Sequence, residues 1–162
     1  MGVAGCGKSS LGAMLAERAG GKLVEGDDYH SPTSRDKMSQ GIPLTDADRE
    51  GWLELLGGLL REAPGAAVLT CSALKKAYRD RLRAAAPGLG FVYLEISPAE
   101  ALRRVKARAG EHFFPVGLVD SQFATLESPV GEADVLALDG TLSLPELTEH
   151  TLAWLNKEGG DE

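Results

Sequence analysis

Gly2-Val3-Ala4-Gly5-Cys6-Gly7-Lys8-Ser9 has the spacing G-x-x-x-x-G-K-[ST], which suits the binding of phosphate. Glycines let the backbone turn tightly, so successive N–H groups point at phosphate oxygens. Lys8 reaches the β- and γ-phosphates of a nucleotide, and the Ser9 hydroxyl is a ligand for Mg²⁺. A helix starting near Gly7 would aim its positive end at the same anion. The competing reading is a glycine-rich turn before an ordinary helix. The helix-forming run Ser10–Ala16 directly behind the loop favours phosphate binding. Gly2, Val3, Ala4, Gly5, Cys6, Gly7, Lys8 and Ser9 are the candidate nucleotide-binding residues, with Val3, Ala4 and Cys6 offering backbone only.

Glu25-Gly26-Asp27-x-x-His30 is the second group. Phosphoryl transfer to an alcohol needs a carboxylate that orients the hydroxyl and accepts its proton, together with groups around Mg²⁺. Alone, this segment reads as a solvated acidic turn. Beside a phosphate loop, Asp27 becomes a candidate catalytic base. No Asp ends the apolar run at Cys71, so Glu25 or Asp27 would serve the metal, through water. Ser72 precedes a basic set of Lys75, Lys76, Arg79 and Arg83. Lys75, Arg79 and Arg83 share one helix face and could hold an anionic substrate, or form a solvated basic face. Arg103, Arg104 and Arg108 precede Gly110-Glu111-His112. Arginines beside a glycine segment could close over a nucleotide and neutralise the transferring group; Arg103 fits an exposed surface best. No Cys/His arrangement has zinc-ligand spacing.

The elements that must position these groups alternate strand and helix. Helix is expected over Leu11–Ala19, a short strand over Lys22–Glu25 and an acidic turn over 26–32. A short helix over 33–40 stops at Gly41. Thr45 caps a helix carrying Trp52 and a leucine stripe. Strands are expected at 66–71, 91–96 and 134–139. Helices are expected to Arg83, over 99–109, over 116–126 and over 144–156. Alternating strands and helices imply an α/β domain with a parallel sheet flanked by helices on both faces. Ligands then sit at the carboxyl ends of the strands, which puts Asp27, His30, Ser72, Lys75, Asp139 and Gly140 on one rim. A phosphate loop normally follows a buried strand, yet only Met1 precedes it. The expectation is that the first strand is missing, the chain starting late with Met1 internal to a longer protein.

At 162 residues, with 43% hydrophobic and 25% charged residues, the chain reads as one globular domain, residues 1–162. A net charge of −7 argues against a nucleic-acid surface. Cys6 and Cys71 make no disulfide framework, and reduced thiols fit a cytoplasmic protein. The sequence holds no signal peptide and no bilayer-spanning run.

Taken together, GVAGCGKS, EGDDYH, DKMSQGIPLTDADREGWL, CSALKKAYRDRLR and KARAGEHFFPVGLVDSQFATLESP resemble the gluconate kinases. These are phosphate-loop small-molecule kinases related in fold to shikimate and adenylate kinases. The resemblance covers nearly the whole chain. It implies ATP- and Mg²⁺-dependent phosphorylation of D-gluconate at its 6-hydroxyl, giving 6-phosphogluconate. It matches Gly5, Gly7, Lys8, Ser9 and Ser10 to the phosphate loop and Asp27 to the acid facing the sugar hydroxyl. His30, Lys37, Arg49, Ser72 and Lys75 match positions lining the gluconate pocket. Arg104 and Arg108 match a lid at about 104–122, flanked by His112 and Gln122, with Arg108 and Lys8 acting in catalysis. The loop after Asp139 would meet the adenine. Family members commonly form homodimers. The alternatives are a kinase for another polyol acid such as shikimate, or an ATP-binding sensor without transferase activity.

Overall fold

The computed structural model describes residues 1–108 and 115–159. Seven helices and four strands alternate along these residues: α1 Lys8–Ala19, β1 Lys22–Glu25, α2 Pro32–Ser39, α3 Asp46–Glu62, β2 Ala67–Thr70, α4 Lys76–Ala85, β3 Phe91–Glu95, α5 Pro98–Ala107, α6 Gly117–Thr125, β4 Val135–Asp139 and α7 Leu144–Glu158. A 3-10 turn, Gly26–Tyr29, follows β1. Local chemistry sets the boundaries. α3 opens on a capping box: the Thr45 hydroxyl accepts from the Asp48 N–H at 3.2 Å, and the Asp48 carboxylate accepts from the Thr45 N–H at 2.9 Å. Ser143 and Glu146 do the same for α7. Ser31 and Ser97 cap α2 and α5, each followed by a proline at the first helical position.

All strand pairing is parallel, β1 with β2 (Lys22 opposite Ala67) and β3 with β4 (Phe91 opposite Val135). Two cores flank the strands. One gathers Leu11 and Leu15 of α1, Leu94 and Ile96, Ala101 and Val105 of α5, and Leu147 of α7. The other packs Trp52, Leu53 and Leu56 of α3 with Tyr78 and Leu82 of α4 over Val24, Cys71 and Phe91. The layering is that of the expected helix–sheet–helix sandwich.

The sheet departs from a single continuous one. It is two two-stranded pairs, and residues 1–2 lie between β2 and β3. The Met1 amine donates to the Val92 carbonyl at 2.6 Å, and the Leu94 N–H donates to the Met1 carbonyl at 3.1 Å. Gly2 donates to the Ser72 carbonyl at 3.2 Å. These bonds put Met1 in parallel register with Tyr93. Below Met1 the facing edges of β2 and β3 line a half-open apolar pocket of about 160 Å³, walled by Leu11, Leu15, Val68, Leu69, Phe91 and Val92. With no strand between them, Val68 and Leu69 stay only half-buried.

Candidate active site

The phosphate loop occupies the carboxyl end of the strands. Gly7 caps α1 at φ +102°, a left-handed conformation that costs glycine nothing. The cap turns the loop so that the α1 N-terminus faces outward. Lys8 lies back over the loop, its ammonium donating to the Gly2 and Val3 carbonyls, both at 3.0 Å. Ser9 Oγ donates to Glu25 Oε2 at 3.1 Å, and Thr70 Oγ1 donates to the same oxygen at 2.7 Å. A hydroxyl beside a carboxylate is a hard-oxygen pair suited to a small divalent cation. Among the described residues no group of three or more His, Cys, Asp or Glu could hold a metal by itself.

Asp27 follows β1 on the 3-10 turn, with a carboxylate that is 89% exposed. The His30 imidazole, then the Lys8 and Arg35 cations, hold it below the usual carboxylate range. It is therefore ionised at neutral pH. Lys8 and Asp27 line one cavity of about 530 Å³, large enough for a small polar substrate beside a phosphate chain. Ala4, Gly5, Gly7 and Ser9 floor the phosphate end, while His30, Arg49, Ser72, Arg108 and Gln122 complete the walls.

A family model described as an AAA domain matches residues 1–129. The gluconokinase of Gluconobacter oxydans is 45% identical, the alignment covering 93% of this chain and 88% of that one. The thermosensitive gluconokinase of Escherichia coli is 42% identical, covering 92% and 81%. The chain belongs to the gluconokinase family. The crystal structure of a gluconokinase from Sinorhizobium meliloti superimposes with a TM-score of 0.88 at 46% identity, covering 97% of this chain and 89% of that one. Shikimate kinase from Aquifex aeolicus, at 14% identity and a TM-score of 0.61, shares the fold. The α/β phosphate-loop kinase architecture expected from the sequence is thus the one present.

Within this gluconokinase-family framework, several residues singled out in the sequence stand apart from the cavity wall. Gly2, Val3 and Cys6 are the buried members of the phosphate loop, and Ser10 is exposed in the first turn of α1. Lys37 donates to both carboxylate oxygens of Asp48, at 3.0 and 2.8 Å, tying α2 to α3. That contact, with the Thr45 N–H, draws Asp48 down to about 2. Lys75 donates to Asp46 at 2.9 Å, and the Tyr78 hydroxyl donates to the same carboxylate. Arg49 donates to the Tyr78 oxygen at 3.0 Å and keeps a place in the cavity wall.

Arg104 bonds the Gly5 carbonyl at 3.2 Å, the Gly140 carbonyl at 2.9 Å and Glu100 at 2.8 Å. It braces α5 between the phosphate loop and the loop after β4. Gln122 accepts from the Ala4 N–H at 2.6 Å, so α6 is bonded directly to the phosphate loop. His112, with Gly110 and Glu111, lies outside the described residues. Arg79 departs furthest from its expected place on an anion-binding face. It is 0% exposed and bonds Glu132, Glu127, Ala73 and Leu74.

The cavity also has walls that spacing did not reveal: Arg35, Ser39, Leu44, Trp52, Ser121 and Thr125. Arg35 bonds the Asp28 and His30 carbonyls at 2.7 and 3.3 Å. Trp52 fits the core at its helical spacing, and its buried ring also backs the cavity.

Proposed function

We propose that the chain transfers the γ-phosphate of ATP to the 6-hydroxyl of D-gluconate, giving ADP and 6-phosphogluconate. The observation that carries this is a phosphate loop and an exposed carboxylate, Lys8 and Asp27, lining one cavity in a chain of gluconokinase family. The loop N–H groups and the α1 N-terminus hold the phosphates. Lys8, released from the Gly2 and Val3 carbonyls, follows the transferring group and offsets its charge. Asp27, kept ionised by its cationic neighbours, orients the sugar hydroxyl and accepts its proton. Arg35, Arg49 and Ser72 suit a polyol carboxylate, while Arg108, at the C-cap of α5, lines the same cavity and would meet the phosphates.

Mg²⁺ fits the Ser9–Glu25 pair: Ser9 would bind it directly, and Glu25 through water. When bound, it supplies charge neutralisation on the phosphates. No helix among the described residues is long and apolar enough to cross a membrane.

The test is ADP release with Mg²⁺-ATP in the presence of D-gluconate, shikimate and other polyol acids. Gluconate-dependent release of 6-phosphogluconate is expected. Release driven equally by shikimate would reassign the substrate, and ATP binding without release would make the chain a sensor. Asp27→Asn should lower kcat far more than it raises KM for ATP; a collapse of ATP affinity at preserved kcat would remove Asp27 from the hydroxyl.

A further inference from the structure

We propose that His30 is a positioning residue for Asp27, its Nε2–H holding the carboxylate toward the phosphate loop while Trp52 fixes the imidazole ring. The proposal rests on the reading of Asp27 as the group that meets the sugar hydroxyl.

The imidazole is 4% exposed and stacks on Trp52, with ring centroids 4.2 Å apart and planes inclined by 20°. Trp52 is itself anchored, its Nε1–H donating to the Gly26 carbonyl at 2.8 Å. Gly26 precedes Asp27, so one indole fixes both the backbone beneath the carboxylate and the ring beside it. The backbone carbonyl of His30 is also held, accepting from Arg35. Ring plane and ring position are thereby set before any substrate arrives.

The two ring nitrogens are not equivalent. Nε2 lies 3.6 Å from Asp27 Oδ1. Nδ1 is buried with no hydrogen-bond partner among the described residues. A proton on Nδ1 would leave a buried donor without an acceptor and turn the Nε2 lone pair against a carboxylate. A proton on Nε2 meets the carboxylate and leaves only an acceptor idle. Of the two tautomers, the one with its proton on Nε2 is therefore favoured. The burial of Nδ1 also keeps His30 from bonding substrate through that atom.

At 3.6 Å the contact is longer than a formed hydrogen bond, and such contacts tighten when the reacting complex assembles. Among the described residues, no other side chain lies within ion-pair or hydrogen-bond distance of the Asp27 carboxylate. An exposed aspartate without that tether samples several rotamers. Misplacement of a reacting group by about 1 Å can cost on the order of 100-fold in rate.

The experiment compares the parent chain, His30→Phe, His30→Gln and Asp27→Asn for kcat, KM for ATP and Tm. Phe keeps the stack and the burial but has no donor. Gln keeps an N–H at the end of a chain of similar reach. The expected result is a fall in kcat of about 10- to 100-fold in His30→Phe, with KM for ATP and Tm near parental and kcat largely recovered in His30→Gln. Parental kcat in His30→Phe overturns the proposal, as does a loss in both His30 variants. An active parent whose Asp27→Asn variant keeps its kcat would instead remove the reading of Asp27, and this proposal with it.

Discussion

Arg79→Met separates an anion-binding arginine from a strut. The native guanidinium donates to Glu132 at 2.6 and 3.1 Å, to the Ala73 and Leu74 carbonyls at 2.8 and 3.1 Å, and to the Glu127 carbonyl at 3.0 Å. Methionine keeps the length of the stem and removes every donor. The Ala73 and Glu127 carbonyls and a mostly buried carboxylate then lose this donor, although the Leu74 carbonyl keeps the Glu127 N–H at 2.8 Å and Arg83 still reaches Glu132 at 3.0 Å. Breaking a buried ion pair by removing one member costs about 3–5 kcal/mol. For a chain of this size each kcal/mol lowers Tm by about 2–4 °C, which gives a fall of roughly 6–20 °C.

The assay is thermal unfolding by circular dichroism, paired with kinetics well below the transition. KM for gluconate should stay within about twofold of the parent, because Arg79 is absent from the cavity wall. A Tm within about 2 °C of the parent, or a tenfold rise in KM at unchanged Tm, would show that Arg79 holds substrate and is no strut.

Lys8→Ala should lower turnover by at least about 100-fold with Tm almost unchanged, since the ammonium bonds only groups of the loop itself, two carbonyls and the Cys6 sulfur; turnover near the parent's would exclude Lys8 from charge neutralisation. Acid should unfold the chain partly through Glu132 and Asp48, two of the carboxylates held below their ordinary values, Glu132 by Arg79 and Asp48 by Lys37. A depressed folded value means that their contribution is whole above about pH 4.5 and is lost as the pH falls through the folded values. Glu132→Gln should flatten that acid limb in a pH-dependent melt, and an unchanged limb would assign it elsewhere. Adding about four Val or Ile residues before Met1 should supply a strand between β2 and β3. The added side chains would fill an apolar pocket of about 160 Å³, and ladder hydrogen bonds at about 1 kcal/mol each offset much of the ordering cost. The extension also removes the buried Met1 amine, which burial pushes down to about 6. A Tm raised by several degrees is expected; an unchanged or lower one would mean that the gap does not accept a strand.

The phosphate loop, the strand–helix alternation and the main helix caps were legible in the sequence because each depends on neighbours in the chain. Gly7 before Lys8, Thr45 three residues before Asp48, and an apolar stripe through Trp52 carry their own instructions. Asp27 was legible too, since a carboxylate just past a strand must stand on the rim that holds the loop. What spacing could not tell was which cations are already spent. Lys37, Lys75, Arg79, Arg104 and Arg108 look alike in sequence, and only packing decides that Asp48, Asp46, Glu132 and the Gly5 carbonyl meet the first four, while Arg108 remains on the cavity wall. Those partners lie between 11 and 99 residues away in the chain. The His30–Trp52 stack likewise joins a turn to a helix that no local pattern connects. Local propensity and short-range hydrogen bonds therefore settle the elements and the loop. The free or engaged state of each charge is settled by long-range contacts, because a buried cation takes whichever acceptor the fold brings to it.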